Sequence, residues 1–436
     1  MTTERKLFAF INSKPVGVLI DRNGVWSFQY DEKWIDDKGY PLAPSLPLIK
    51  EEIIDDSNVR PVQNFFDNLL PEEAARQLMA KDAKVDVTDR FALLTHYGAE
   101  SAGAITLLSV ATAPEPQNEF QELTDEVLSA RIKNLPASSL TQDAPKRMSL
   151  AGAQHKLAVC YDPLTQELTE PVGDTPSSFI LKPNHTDPEN YPHSVVNEWF
   201  IMELAKHTGL EVPDVHYLKV PEPVYLIKRF DRMKTSTTPL RVHTIDACQL
   251  LQIAPESKYW DCTLERLIEI SEKCNAPALT RRTIFKWLVF NFLVGNNDAH
   301  LKNLSFFVYA EGFELSPFYD LLSASCYANA PGQWLKSDMV TALNGKKIYG
   351  KVTLEDLEKV GGQLRVGTPQ SIKKQILDLS NKVVKTANSL YESLEQGNSD
   401  KPERLKLTAG EFRQLRTITT GHIAEASSAI TAAAVN

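Results

Sequence analysis

Gly295-Asn-Asn-Asp-Ala-His-Leu-Lys-Asn-Leu-Ser-Phe-Phe-Val-Tyr-Ala-Glu-Gly-Phe-Glu-Leu-Ser-Pro-Phe-Tyr-Asp320 is the stretch around which the rest of the chain is placed. It opens as a polar loop carrying Asp298, His300, Lys302 and Asn303. Residues 304–309 are aromatic and β-branched, which predicts a strand. Ala310-Glu311-Gly312 reads as a three-residue turn, with Gly312 supplying a left-handed conformation. Residues 313–318 form the returning strand, in which Pro317 is tolerated near the end.

Counting along that hairpin sets residue 303 opposite residue 319 and brings Asn303 and Asp320 to one open end. Two oxygen-bearing side chains at one mouth suit a hard cation such as Mg2+. A carboxylate five residues before the asparagine, Asp298, could orient a hydroxyl nucleophile. This is the Asp-x-x-x-x-Asn spacing of a phosphoryl-transfer catalytic loop, followed by a metal-binding Asp. Asp and Asn also abound in loops because they turn and cap the chain, so the spacing needs support from elsewhere.

The composition sets bounds. A chain of 436 residues exceeds one ordinary core, so two or three domains are expected. Its 42% hydrophobic and 24% charged content suits a soluble globular protein. No apolar run is long enough to span a bilayer, and the first residues lack a secretory core. The five scattered cysteines contain no Cys-x-x-Cys pair, which fits a reducing cytoplasm and disfavours zinc. A net charge of −9 argues against nucleic-acid binding by the whole surface.

Outward from the central stretch, residues 5–30 read as three short strands. Residues 65–79 read as a helix with Pro71 in its first turn, and 86–94 as another. Residues 103–108 return to strand, and 111–120 form a linker. Residues 148–161 place a small-residue turn, Ala151-Gly152-Ala153, between two strands. Small residues let backbone N–H groups approach phosphate oxygens, although an ordinary hairpin turn gives the same pattern. Lys182 ends a strand, either as a solvated residue or as a phosphate ligand. Ser194 is the expected N-cap of a helix ending at Gly209. Glu198 in its first turn either complements the helix dipole or fixes Lys182. Residues 223–232 could form a hinge strand. Residues 281–294 are apolar all round and predict a buried helix that holds the 295–303 loop. Residues 354–360, 369–394 and 409–434 are expected helices, with Thr353 capping the first.

Ordered blocks then carry a resemblance over most of the chain. They are Asn64-Phe-Phe-Asp-Asn-Leu-Leu-Pro71, Ser149-Leu-Ala-Gly-Ala-Gln-His-Lys156, Ile180-Leu-Lys182, Asn197-Glu198, Arg229-Phe-Asp-Arg232, Asp298-Ala-His-Leu-Lys-Asn303 and Pro317-Phe-Tyr-Asp-Leu-Leu-Ser323. The sequence resembles the HipA family, the kinase toxins of bacterial HipBA-type toxin–antitoxin pairs. The resemblance implies an α+β, protein-kinase-like two-lobed fold. Its parts would be an N-terminal β-rich subdomain (1–110), a linker (111–145), an N lobe (146–232) and a helical C lobe (233–436).

It further implies ATP and Mg2+ as cofactors, Asp298 as catalytic base, and Asn303 and Asp320 as metal ligands. Lys182 would bind phosphate, Ala151, Gly152, Ala153, Gln154, His155 and Lys156 would form the phosphate loop, and Lys228, Arg229 and Phe230 the adenine hinge. His300, Lys302 and Tyr319 match further nucleotide contacts. Ser149 matches a serine whose autophosphorylation displaces the phosphate loop and switches the kinase off. The implied partners are a HipB-like helix-turn-helix antitoxin dimer, operator DNA reached mainly through it, and a protein substrate, with glutamyl-tRNA synthetase expected. The chain lacks Gly-x-Gly-x-x-Gly, His-Arg-Asp and Asp-Phe-Gly, and carries His155 where at least one member has Glu. The alternative is a nucleotide-binding corepressor with vestigial kinase activity.

Overall fold

The computed structural model describes residues 4–435 except 114, 116, 117, 147, 153, 236–238 and 329–331, with 432–435 given by backbone alone. The chain divides into two compact units. The first comprises Met1–Pro183, Leu226–Ser257 and Ser305–Ser316; the second comprises Asn184–Tyr225, Lys258–Leu304 and Pro317–Asn436.

The first unit is β-rich. Its N-terminal sheet is antiparallel, with Ile53–Ile54, Val25–Tyr30, Lys14–Arg22, Glu4–Ile11 and Ile105–Leu108 in spatial order. Alternating apolar residues bury one face. A register shift at Ala9/Phe10 turns both of these residues inward. The helices Pro61–Asp67 and Arg90–Tyr97 pack aromatics on this sheet, Phe66 against Phe28 at 5.6 Å and Phe91 edge-on to Trp26 at 5.4 Å. A second antiparallel array runs Phe179–Pro183, Leu157–Tyr161, Leu168–Pro171 and Phe120–Glu122. A third sheet joins Thr244–Asp246 to the hairpin Ser305–Tyr309/Gly312–Leu315.

The second unit is helical. The helix Pro277–Val294 runs through its core, with Trp287, Phe290 and Leu293 fully buried. The helices Ser194–Thr208, Leu264–Lys273, Leu354–Gln363 and the long Pro369–Gly397 surround the same core. Thr353 caps Leu354–Gln363 as expected, through a reciprocal box with Asp356.

Several local expectations are corrected. The central hairpin closes with two residues, Ala310 and Glu311, because Tyr309 pairs with Gly312. The register therefore sets 303 opposite 318 rather than 319, and Gly312, at φ 134°, begins the return strand. Ser194 lies inside its helix. His193 is the cap in a left-handed conformation, and the Ser194 hydroxyl instead accepts the His185 N–H at 2.7 Å. Pro71 lies between two helices, Pro61–Asp67 and Glu73–Ala83, and bridges to Gly152. Among the described residues of the stretch 148–161, only Leu157–Tyr161 is strand. Phe120, expected in the linker, starts a strand. The expected helix 409–434 is broken by a π-helical segment, Thr417–Ile423.

Candidate active site

In the first unit, Lys182 sits at the end of Phe179–Pro183 and is 5% exposed. Leu157 pairs with Leu181, so the same register carried one residue further sets Lys182 opposite Lys156. The loop before that strand is drawn over it. Lys156 Nζ donates to the Ala151 carbonyl at 2.7 Å, and Gln154 Nε2 to the Pro183 carbonyl at 3.5 Å. Gly152 has φ 110°, and a Cβ there would lie 2.4 Å from Lys156 Nζ. Only glycine permits this turn with the ammonium group folded across it. Ala153 lies outside the described residues. His155 faces a small hollow with Pro71, Met79 and Leu140.

Ser149 is fully buried in this unit. Its hydroxyl donates to the Leu69 carbonyl at 2.7 Å, and its N–H to the Glu100 carbonyl at 2.7 Å. The Gly152 carbonyl accepts the Glu72 N–H at 3.1 Å, so residues 69–72 and 100 grip both ends of the segment.

Beside it lies a buried ion cluster. Glu100, fully buried, accepts from Lys146 at 2.8 Å, Arg229 at 3.1 Å, Arg232 at 2.7 Å and Arg241 at 3.2 Å. Burial favours the protonated acid, but Lys146 and the three arginines outweigh it and hold Glu100 well below the usual carboxylate range. Arg229 also grips Asp231 at 2.9 and 2.6 Å. Its guanidinium is thus spent on structure, and its N–H donates to the Ser178 carbonyl at 2.9 Å. Of the expected hinge, Phe230 packs edge-on to Phe307 at 5.9 Å, and Lys228 is exposed.

In the second unit, Pro277–Val294 ends at Gly295 in a left-handed cap. Asn296, 3% exposed, then stitches the loop to the helix. Its Nδ2 donates to Asn291 Oδ1 at 2.8 Å, and its Oδ1 accepts the Asp298 N–H at 3.0 Å. The Asp298 side chain is 43% exposed and accepts the Tyr259 hydroxyl at 2.7 Å. His300 Nε2 stands 3.9 Å from the same carboxylate, with its ring edge-on to Tyr259 at 4.8 Å. Asn303 donates its amide N–H to the Asp298 carbonyl at 2.8 Å, which turns Oδ1 to the other side as an oxygen donor.

Tyr319 donates its hydroxyl to the Lys302 carbonyl at 2.7 Å, so Asn303 and Asp320 follow two residues that are tied together. Asp320 has φ 58°, a left-handed backbone that non-glycine residues rarely adopt. The segment after it is fastened by Asn197, which accepts the Ser323 N–H and donates to its carbonyl, both at 2.9 Å. Asn303 and Asp320 supply hard oxygens, as a Mg2+ shared with substrate phosphates requires. Among the described residues no cluster of three or more His, Cys, Asp or Glu is placed to hold a metal by itself. No helix of the described residues is long and apolar enough to cross a membrane.

Asn296, Asn197 and Tyr259 had no predicted role. Asn296 and Asn197 are each near a named motif residue, whereas nothing in the sequence connects Tyr259 to a carboxylate 39 residues later.

Known proteins resemble this chain over most of its length. A model of the HipA N-terminal domain matches residues 7–108, and one of the HipA-like C-terminal domain matches 148–388. The putative kinase Y4mE of Sinorhizobium fredii is 31% identical over 86% of this chain and 88% of its own. The serine/threonine-protein kinase toxin HipA of Shewanella oneidensis is 31% identical over 69% of this chain and 71% of its own. A Shewanella oneidensis HipA solved in complex with HipB and its operator DNA superposes with a TM-score of 0.78 at 24% identity, covering 98% of this chain and 97% of that one. The fold is shared from end to end, the C-terminal model alone spans more than half of the sequence, and the chain belongs to the HipA family of serine/threonine-protein kinases.

Proposed function

We propose that this chain is the toxin of a toxin–antitoxin pair, acting in the cytoplasm. In this reading it transfers the γ-phosphoryl of ATP to a protein serine and, as self-inhibition, to its own Ser149. The observation that carries the reading is the order around Asp298. Its backbone is fixed by Asn296 and Asn303, and one carboxylate oxygen is held by Tyr259. The second oxygen is left for a substrate hydroxyl. Asp298 would take the hydroxyl proton as the serine oxygen bonds to the γ-phosphorus and the bridging oxygen leaves with ADP. Lys182, Lys156 and the 151–156 backbone would bind and orient the phosphates, and residues 228–230 the base. Tyr319, Lys302 and His300 complete the nucleotide-facing set. Mg2+, held by Asn303 and Asp320, would supply charge neutralisation at the phosphates.

The burial of Ser149 supports the inhibitory role. A phosphate cannot occupy the place of a hydroxyl that touches the Leu69 carbonyl, so a phosphorylated segment has to stay out. Family analogy makes glutamyl-tRNA synthetase the first substrate to try. The complex solved for the Shewanella protein supports a HipB-like helix-turn-helix antitoxin and operator DNA as partners.

Labelled ATP tests the reading. The wild-type chain should acquire label at Ser149 and on a serine of the substrate, and Asp298→Gln should lose both while still binding ATP. Equal labelling of the two proteins would remove Asp298 from its role. A wild-type chain inert on every substrate, yet shifting operator DNA with its antitoxin, would favour the corepressor reading.

A further inference from the structure

The C-terminal helices carry a feature that the catalytic reading does not use. Between Ala409–Arg416 and Ala424–Val435 the backbone widens into the π-helical segment Thr417–Ile423. Such segments are rare in isolation and cluster at functional places. Threonine side chains accompany this one. Thr417 donates to the Arg413 carbonyl at 3.0 Å, Thr419 to Leu415 at 3.0 Å and Thr420 to Arg416 at 2.8 Å. Hydroxyls bonded back to the preceding turn loosen and bend a helix.

The widened turn sends His422 inward. The residue is 3% exposed, and its ring lies 3.8 Å from that of Trp334. Trp334 is itself anchored, donating its indole N–H to Glu425 at 2.8 Å. On its other side the imidazole meets Gly295. A Cβ on Gly295 would lie 2.5 Å from His422 Cε1 and Nε2, and 2.6 Å from Ser325 Oγ. No side chain fits there. The Gly295 carbonyl also accepts the N–H groups of Ala324 at 3.0 Å and Ser325 at 3.2 Å. The glycine at which the catalytic loop leaves its helix is therefore enclosed by an imidazole, a hydroxyl and two amides.

We propose that His422 is a positioning residue for phosphoryl transfer: set by the π-helical turn, its ring presses on Gly295 and fixes where the 296–303 loop, and with it Asp298, stands. The inference rests on the assignment of Asp298 as base. The property at work is shape. Burial pushes the His422 imidazolium down to about 3, so the ring is neutral at physiological pH. An ordinary core histidine would affect stability alone. A positioning residue affects turnover, and its loss should be corrected by restoring the fit from the other side.

Five full-length proteins decide it: wild type, His422→Ala, Gly295→Ala, the double variant, and Gly345→Ala. Gly345 is the control because it shares a left-handed backbone, φ 76°, with nothing within 4 Å of a built Cβ. Gly295→Ala should lower kcat at least tenfold with KM for ATP within twofold of wild type, while Gly345→Ala stays within twofold in both. His422→Ala should also lower kcat, and the double variant should recover severalfold over Gly295→Ala because the space left by the ring lets the methyl group shift away from the Ser325 hydroxyl as well. Amide exchange over 296–303 should quicken at least tenfold in His422→Ala, a readout that needs no activity. An inactive wild type would sink the kinase reading and leave that exchange measurement to judge the positioning claim. Losses that merely add, unchanged exchange, or Gly295→Ala no worse than Gly345→Ala would overturn the proposal. Should His422→Ala fail to fold, the comparison of the two glycine variants decides alone.

Discussion

Two segments to which the proposed chemistry is assigned are held by different means. The 146–152 segment of the first unit is anchored by buried charge at one end, with Lys146 on Glu100 among three arginines, and by hydrogen bonds of Ser149 and Gly152 beyond it. The 295–303 loop of the second unit is fastened by neutral contacts: the Gly295 cap, side-chain hydrogen bonds of Asn296 and Asn303, and the packing of His422. The difference matches the proposed tasks. Removing one partner of a buried ion cluster leaves uncompensated charge, so release of the segment in the proposed inhibited state would be all-or-none rather than gradual. A loop that has to present one carboxylate in one place is better served by close packing, which tolerates little displacement. The comparison thus separates a latch from a mount.

The largest expected effect breaks the latch. With Cys in place of Ser149, Lys146→Met should raise the rate at which a thiol reagent labels residue 149. Loss of a hydrogen bond to a buried carboxylate costs about 2–3 kcal/mol, equivalent to roughly 30–150-fold in exposure. Labelling is read at the peptide containing residue 149, because the chain has five other cysteines. An unchanged rate would mean that the ion cluster serves only the fold.

Acid sharpens the comparison next, against intuition. Glu100 is held well below its ordinary value of 4.5, so the stability it gives is present above that value and lost only as pH falls through its lower, folded value. The buried histidines respond earlier. His422 falls from 6.5 to about 3, and His243, in the first unit, to about 4, both through burial. The unfolded chain binds those protons first, so stability should fall as pH drops below 6.5. At pH 5 the loss is about 2 kcal/mol for each. Denaturant midpoints between pH 7.5 and 5 should show this slope, and a His422→Gln variant should show a shallower one. A slope appearing only below pH 4.5 would return the response to the carboxylates.

The smallest effect concerns the exposed edge of the mount. Tyr259→Phe removes one hydrogen bond from the Asp298 carboxylate and leaves the loop backbone untouched. We expect kcat to fall roughly threefold to tenfold, with no change in unfolding midpoint. A drop in stability without a drop in turnover would show that Tyr259 holds the fold rather than the base.

Much of this was legible in the residues. A hairpin follows the 295–303 loop and a buried apolar helix precedes it, as the residue pattern predicts. What was not legible depended on geometry that a linear reading cannot count. The turn at 310–311 is one residue shorter than expected, because Gly312 pairs as a strand residue instead of closing the turn. Ser194 lost its capping role because Asn184 supplies the oxygen that bonds the Val195 N–H. The helical pattern through 409–434 is continuous in sequence, and nothing local announces a widened turn whose purpose lies at Gly295. Arg229 falls within a block expected to contact the nucleotide, but Glu100 and Asp231 claim its side chain.

The sequence by itself determined which groups are available: the carboxylates Asp298 and Asp320, the amide of Asn303, the lysines 156 and 182, and the buried helix that carries the loop. Short-range spacing and apolar periodicity suffice for that, because they are properties of neighbours along the chain. Only the tertiary structure decided how each group is held. Tyr259 reaches Asp298, Leu69 and Glu100 enclose Ser149, and His422 meets Gly295 across separations from 39 to 127 residues. Such contacts arise when the chain closes on itself, where burial and packing, rather than local preference, choose the partner.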